Sequence, residues 1–345
     1  MPSSDATQVQ AVDPYQPSID ELAQGTVVRE TILARWAEGV DNILLVGCGG
    51  SYYGAGPFEY LLSARLPGIP VRRINADEFN TQRPASAGPR SLTIVASHSG
   101  ATPETIKSVA TARELGVSYV IAISGDPTKP LAQAADIDFV YHHDPATTSK
   151  ARLYGHITHA ILEAAGVESA AEAAAAVAVY DGLTETLREA VLKHDDELRE
   201  VAAALAAARL SVLLGAGPDE DVARSFSMCL LQEMQWLDSQ AFNAGEFFHG
   251  AFEVVIGDSH AVLLLLGESP ARAMEERAER FLSHYSTKTV VLDSKRVEVP
   301  GLPAAYRAEI SPHILTALID RTAELCEQAT GHSMKIRRYM GKVNY

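Results

Sequence analysis

The sequence predicts an α/β fold. We expect two similar three-layer αβα sandwiches, each with a parallel sheet, joined by helices. Three observations lead there. Apolar runs bounded by Gly, Pro or Asp alternate with long amphipathic stretches, the alternation restarts near residue 210, and an alanine-rich stretch separates the two passes. Alternation of this kind joins parallel strands through right-handed crossovers and puts helices on both sheet faces.

Taken in order, residues 1–25 read as a loose leader without the charged-then-apolar pattern of a secretory signal. The first unit, 26–168, opens with the strand-like "NILLVGCGG" (42–50) and the helical "YYGAGPFEYLLSARL". It continues with strands at "VRRIN" (71–75) and "LTIVASHSG" (92–100), then the helix "PETIKSVATARELG". "SYVIAISG" (118–125) and "DIDFVYHH" (136–143) complete it. Residues 169–209 read as a helical connection whose alanines favour helix packing. The second unit, 210–330, repeats the plan: strand, Gly-x-Gly turn and long helix in "LSVLLGAGPDEDVARSFSMCLLQEMQW". "SHAVLLLLGES", "ARAMEERAERFLSHY" and "TKTVVLD" then follow as strand, helix and strand, ahead of a tail at 331–345. A duplicated fold can place one working site between its copies, or one in each.

The chain has 345 residues, 47% hydrophobic and 21% charged, enough for roughly two domains with an ample core. A formal net charge of −15 argues against non-specific binding to nucleic acid or anionic membrane. No apolar run is long enough to span a bilayer. The three cysteines, Cys48, Cys229 and Cys326, are widely spaced and form no ligand set, which fits a reducing, cytoplasmic compartment. His142–His143 and His156-x-x-His159 lack accompanying ligands, so the helical pair reads as a solvated face. No metal and no organic cofactor is expected.

"GCGGSYYGAG" invites a dinucleotide reading, but from Gly47 and Gly49 the third glycine position holds Tyr52. A phosphate group suits the residues better. "ASHSGATPET" places Ser97, Ser99 and Thr102 in a strand-to-helix turn, with Pro103 in the first helical turn. Unsatisfied backbone N–H groups there favour an anion, and hydroxyls add donors without a lysine. Ser51, after the first strand, adds another hydroxyl.

With these stretches, "TTSKA" and "NAGEFFHG", the sequence resembles the sugar isomerase (SIS) family of phosphosugar-binding proteins in its two-domain, flavodoxin-like form. The resemblance spans most of the chain. It extends to the isomerase half of glucosamine-6-phosphate synthase, and it implies that Ser51, Ser97, Ser99 and Thr102 hold a sugar phosphate. His98 stands where that family commonly has glutamine, Thr148 matches a sugar-contacting position, and Gly49, Gly50 and Gly100 shape the turns. The family's catalytic glutamate precedes the motif histidine by sixteen residues; counted back from His249, that position is Glu233. Glu233 is therefore expected to shuttle a proton and His249 to serve the sugar oxygens, a division suited to a carboxylate near carbon and a histidine near neutral pH. Glu246 is expected to organise the loop by hydrogen bonds to backbone N–H groups.

The "GEF-x-HG" segment and the "RRYMGKVNY" tail are most similar to the fructosamine-6-phosphate deglycases, of which fructoselysine-6-phosphate deglycases are one kind. The likeness implies a phosphorylated sugar-amine substrate, active sites shared within a homodimer or dimer of dimers, and tail contacts from Arg338 or Tyr339. Leu230 stands where the synthase has lysine, Ala251 where proline is usual, and Ala101 where an acidic or polar residue is usual. With no glutaminase segment in the sequence, glutamine-dependent synthesis is not expected. An aldose–ketose isomerase, an amino-sugar-phosphate deaminase and a non-catalytic phosphosugar sensor are the alternative readings.

Overall fold

A computed structural model of the chain describes residues 19–141, 146–255, 257, 258 and 260–343. Most of the proposed leader, the His142–His143 pair and the last two tail residues lie outside them. The first pass runs α1 (Ile19–Ala37), β1 (Asn42–Gly47), α2 (Gly49–Gly54), α3 (Gly56–Arg65), β2 (Val71–Asn75), α4 (Ala76–Gln82) and β3 (Ser91–Ser97). It continues with α5 (Pro103–Glu114), β4 (Val120–Ser124), α6 (Pro130–Ala134), β5 (Ile137–Val140) and α7 (Ala146–Ala164). Three helices form the connection: α8 (Ala170–Asp181), α9 (Leu183–Lys193) and α10 (Asp195–Ala207). A capping box between Ser169 and Glu172 starts α8. The second pass holds β6 (Ser211–Gly215), α11 (Pro218–Ser225), β7 (Ser239–Asn243), β8 (Ala261–Leu266), α12 (Arg272–Tyr285), β9 (Thr289–Asp293) and the long α13 (Arg307–Thr330).

Both sheets are parallel. The first has the order β2-β1-β3-β4-β5 and the second β7-β6-β8-β9, the same winding outward from the first strand of each. The expected α/β architecture with two parallel sheets is what the chain adopts. Period-two alternation along each strand divides the apolar side chains. Ile43, Leu45, Ile94, Ile121 and Ile123 face one core, which also takes Leu213, Leu263 and Leu265 from the other sheet. Leu44, Val46, Val95 and Ala122 face an outer layer over the first sheet. Val212, Leu214, Val262 and Leu264 face the corresponding layer over the second. The shared core runs from Val28 to Cys326, so the two sheets are packed through the helices between them rather than merely tethered.

Two expectations change. The helix over 52–66 breaks at Ala55 into α2 and α3, with Pro57 in the first turn of the second. The helix expected over 218–236 is α-helical only to Ser225; Phe226–Gln235 is π-helical and ends on Trp236 at φ +57.

In a doubly wound sheet the ligand crevice lies at the carboxyl ends of the strands where the winding reverses, here between β1 and β3 and between β6 and β8. The second of these crevices is filled from within. Glu275 of α12, fully buried, accepts the N–H of Ala216 and of Gly267, each at 2.9 Å. Asp219 is buried beside it; burial first, and the Glu275 carboxylate second, push its carboxyl well above the ordinary range. A methyl group at Gly267 would stand 1.9 Å from Asp219 Oδ2, so only glycine fits there.

A candidate phosphosugar site at the first switch point

The first crevice is bordered by hydroxyls. β3 delivers Ser97 to its end, and the chain turns through His98–Thr102 into the twelve-residue α5. Ser97 Oγ lies 2.9 Å from Thr102 Oγ1 and 3.5 Å from Ser99 Oγ, and Ser99 Oγ accepts the N–H of Ala101. Thr102 caps α5 by position only, since its side chain makes no capping bond, so the hydroxyls do not satisfy the first-turn N–H groups. Gly100 holds φ +62, and a methyl group there would meet Lys129 Cβ at 2.7 Å. The turn is thus fixed in a conformation with its donors grouped, and the helix N-terminus favours an anion.

Ser51, in α2 after β1, is buried on the neighbouring side of the same crevice. Gly49 takes φ +53, and a methyl group at Gly50 would stand 3.8 Å from Cys229 Sγ. α2 thus lies against the π-helical stretch, and at Gly49 it is the positive φ that favours glycine. His98 Nδ1 lies 2.8 Å from Tyr141 Oη. Burial pushes the Tyr141 phenol well above its ordinary range, so it stays protonated beside the ring. Thr148 is buried near the start of α7. Ser97, Ser99 and Thr102 share the junction after β3, Ser51 follows the neighbouring strand β1, and Tyr141 is an addition that no motif marked.

Glu233 lies on the π-helical stretch, where five-residue hydrogen bonding rotates side chains away from their α-helical bearing. Its Oε1 accepts from Arg337 Nε at 2.8 Å, and the Arg337 fork also reaches the Met334 and Ile336 carbonyls. A cavity of about 420 Å³ opens here, lined by Gln232, Glu233, Trp236 and the tail residues Arg337 to Met340. Arg338 lies over the Trp236 ring at 4.2 Å and Trp236 packs on His332 at 4.1 Å. Tyr339 is exposed. The tail lines the Glu233 cavity, with Arg337 on the carboxylate and Arg338 and Tyr339 on the cavity wall.

The loop after β7 forms two short 3₁₀ turns, Glu246–His249 and Ala251–Val254. Phe247 is buried among Phe248, Phe252 and Phe281, which anchors the loop and leaves His249 at the surface. Among the described residues no hydrogen bond or ion pair joins His249 to Glu233. The loop's organiser is Asn243 rather than Glu246. Asn243 Oδ1 accepts the N–H of Gly245 and Glu246, and Asn243 Nδ2 donates to Glu220. The Glu246 side chain is exposed, because its position in the 3₁₀ turn points it away from the loop's free N–H groups.

His156 and His159 are not on a solvated face. α7 is packed against α1 and α8. His156 is buried and lies 2.7 Å from Asp181, and His159 sits between Glu168 and Glu309 at 2.9 and 2.8 Å. Among the described residues no group of His, Cys, Asp and Glu side chains is arranged to hold a metal ion, and no helix is long and apolar enough to cross a membrane.

Comparison with known proteins gives one family match, to the SIS domain over residues 39–164. The chain is 32% identical over 307 residues to the fructosamine deglycase FrlB of Bacillus subtilis, covering 89% of this chain and 93% of that one. It is 28% identical over 233 residues to a glutamine–fructose-6-phosphate aminotransferase of Caulobacter vibrioides, of which it spans 38%. A solved structure from Bacillus subtilis, described as a phosphosugar isomerase, aligns with a TM-score of 0.84 at 30% identity, covering 94% of this chain and 100% of that one. A second, from Salmonella typhimurium, aligns with a TM-score of 0.85 at 27% identity, covering 93% and 99%.

Proposed function

The chain belongs to the SIS-domain family of phosphosugar enzymes, and we propose that it is a deglycase of 6-phosphorylated fructosamines. The observation that carries this reading is the 32% identity to a fructosamine deglycase over nearly the whole of both chains. The Ser97–Thr102 turn and Ser51 hold the phosphate, with Thr148 and His98 against the sugar. Glu233 removes a proton from C1 of the open-chain ketosamine to give an enaminol, then returns it to C2. His249, contributed at a subunit boundary of a homodimer or dimer of dimers, exchanges protons with the sugar oxygens. Water adds to the resulting imine carbon, and the C1–N bond breaks to release an aldose 6-phosphate and the free amine. Arg337 holds the Glu233 carboxylate, and Arg338 and Tyr339 face the amine portion. The reaction needs no metal or organic cofactor, and a cytoplasmic site fits its substrate.

The test is incubation of the purified protein with several 6-phosphorylated fructosamines and, separately, with fructose 6-phosphate with and without ammonia. Release of amine in equal amount to aldose 6-phosphate is the expected outcome. Interconversion of sugar phosphates without amine release would show an isomerase or deaminase instead, and binding without turnover a sensor.

A further inference from the structure

One lysine in this region has no role in the mechanism above. Lys150 stands two residues beyond Thr148 on α7, largely withdrawn from solvent. Its ammonium lies 5.5 Å from the centre of the Tyr141 ring, and Tyr141 Oη holds His98 of the phosphate turn. On another side it packs on α2, where a methyl group at Gly54 would stand 3.4 Å from its Cδ and 3.9 Å from its Nζ. Cys229, four positions before Glu233 on the π-helical stretch, and Asp320 of α13 are the ionisable groups that bear on it. Asp320 is engaged elsewhere, accepting from Thr147 Oγ1 at 2.6 Å. Among the described residues no carboxylate pairs with the ammonium. Burial pulls the ammonium down to about 8.

A half-buried ammonium without a carboxylate gives up part of its hydration uncompensated, and replacing such a group by an apolar side chain of similar shape is commonly neutral or favourable. Packing alone therefore does not explain a lysine here. Its neighbours place it between the hydroxyl turn on one side and the stretch bearing Glu233 on the other. We infer that Lys150 is a substrate-binding residue, whose ammonium meets the negative charge of a phosphorylated sugar in the crevice between these two elements. The inference rests on the phosphosugar reading of the crevice and deepens it: the hydroxyl turn supplies neutral donors, and Lys150 supplies the countercharge that they lack.

The test is calorimetric titration of the full chain with inorganic phosphate, fructose 6-phosphate and unphosphorylated fructose. Wild type is compared with Lys150→Met, Lys150→Arg and Ser97→Ala. Methionine keeps an apolar stem and removes the charge. Lys150→Met is expected to melt no lower than wild type and to bind phosphate and fructose 6-phosphate at least ~10-fold more weakly, flattening the salt dependence. Lys150→Arg is expected to recover part of the loss. If Ser97→Ala weakens phosphate binding while Lys150→Met binds like wild type, the inference fails and the phosphosugar reading stands. If wild type binds neither phosphate nor fructose 6-phosphate, the reading fails and the inference with it. A Lys150→Met variant with unchanged phosphate affinity and only a lowered kcat would overturn the assignment, because the ammonium would then act on the chemistry. A lowered melting temperature in Lys150→Met, repeated in Lys150→Gln, would make the lysine structural.

Discussion

Arg337 Nε stands 2.8 Å from Glu233 Oε1, joining positions 104 residues apart. The carboxylate proposed to move the proton is therefore positioned by the tail, through an arginine whose own fork is braced on the Met334 and Ile336 carbonyls.

Glu233→Gln preserves shape and removes the base. Turnover of a 6-phosphorylated fructosamine is expected to fall by about 10²–10⁴, the usual range for losing a general base. Affinity for fructose 6-phosphate should stay within a few-fold. Parallel turnover and binding measurements check this, and near-normal turnover would remove Glu233 from the mechanism. Arg337→Met should lower kcat as well, and it should speed protease cleavage between Ser333 and Tyr339 because the anchor is gone.

Ser97→Ala deletes the hydroxyl that meets Thr102 Oγ1 at 2.9 Å. A contact made equally to ground state and transition state raises KM and spares kcat. The expected change is about a tenfold rise in KM, the size of one hydrogen bond to a charged group. Steady-state kinetics would show the opposite split if the turn served the chemical step.

Glu275→Ala leaves the N–H groups of Ala216 and Gly267 without their acceptor. Bonds to a charged partner contribute about 1.5–3 kcal/mol each, so a loss of several kcal/mol is expected. Denaturant unfolding measures it; a midpoint unchanged from wild type would mean that the carboxylate contributes nothing to the second switch point.

Burial pushes the Asp320 carboxyl up to about 7. Between the ordinary aspartate range and pH 7 the folded chain keeps a proton that the unfolded chain has released. The stabilisation from this group is thus complete at low pH and is lost as pH rises through about 7. Asp320→Asn cannot ionise and still accepts from Thr147. Its melting temperature should match wild type near pH 4 and exceed it by a margin that grows until about pH 7, and parallel curves across that interval would refute the assignment.

Much of the scaffold was legible because its signals are local. Runs such as Ile43–Val46 and Val262–Leu266 are short, apolar throughout and bounded by Gly or Asp, which marks strands buried on both faces, and the Ser97–Pro103 turn announces its helix by composition. What was not legible depends on partners far along the chain. Glu275 reads as one more charge on an amphipathic helix until the fold brings the Ala216 and Gly267 N–H groups to it. The π-helical register of Phe226–Gln235 leaves no mark in composition, since the same side chains would suit an α-helix. His156 and His159 looked solvated because helical spacing says nothing of the helices that cover α7. Asn243 and Glu246 exchanged the expected loop role because a side chain two residues before a turn reaches its N–H groups more easily than one inside it.

The carboxylate seated at the second switch point bears on how the chain can respond to its ligand. The fold carries its plan twice, and one of the two mouths is stopped by its own Glu275. If the proposed phosphosugar reading of the other mouth holds, a sigmoidal dependence of rate on substrate is expected to originate between chains rather than between the two units of one chain.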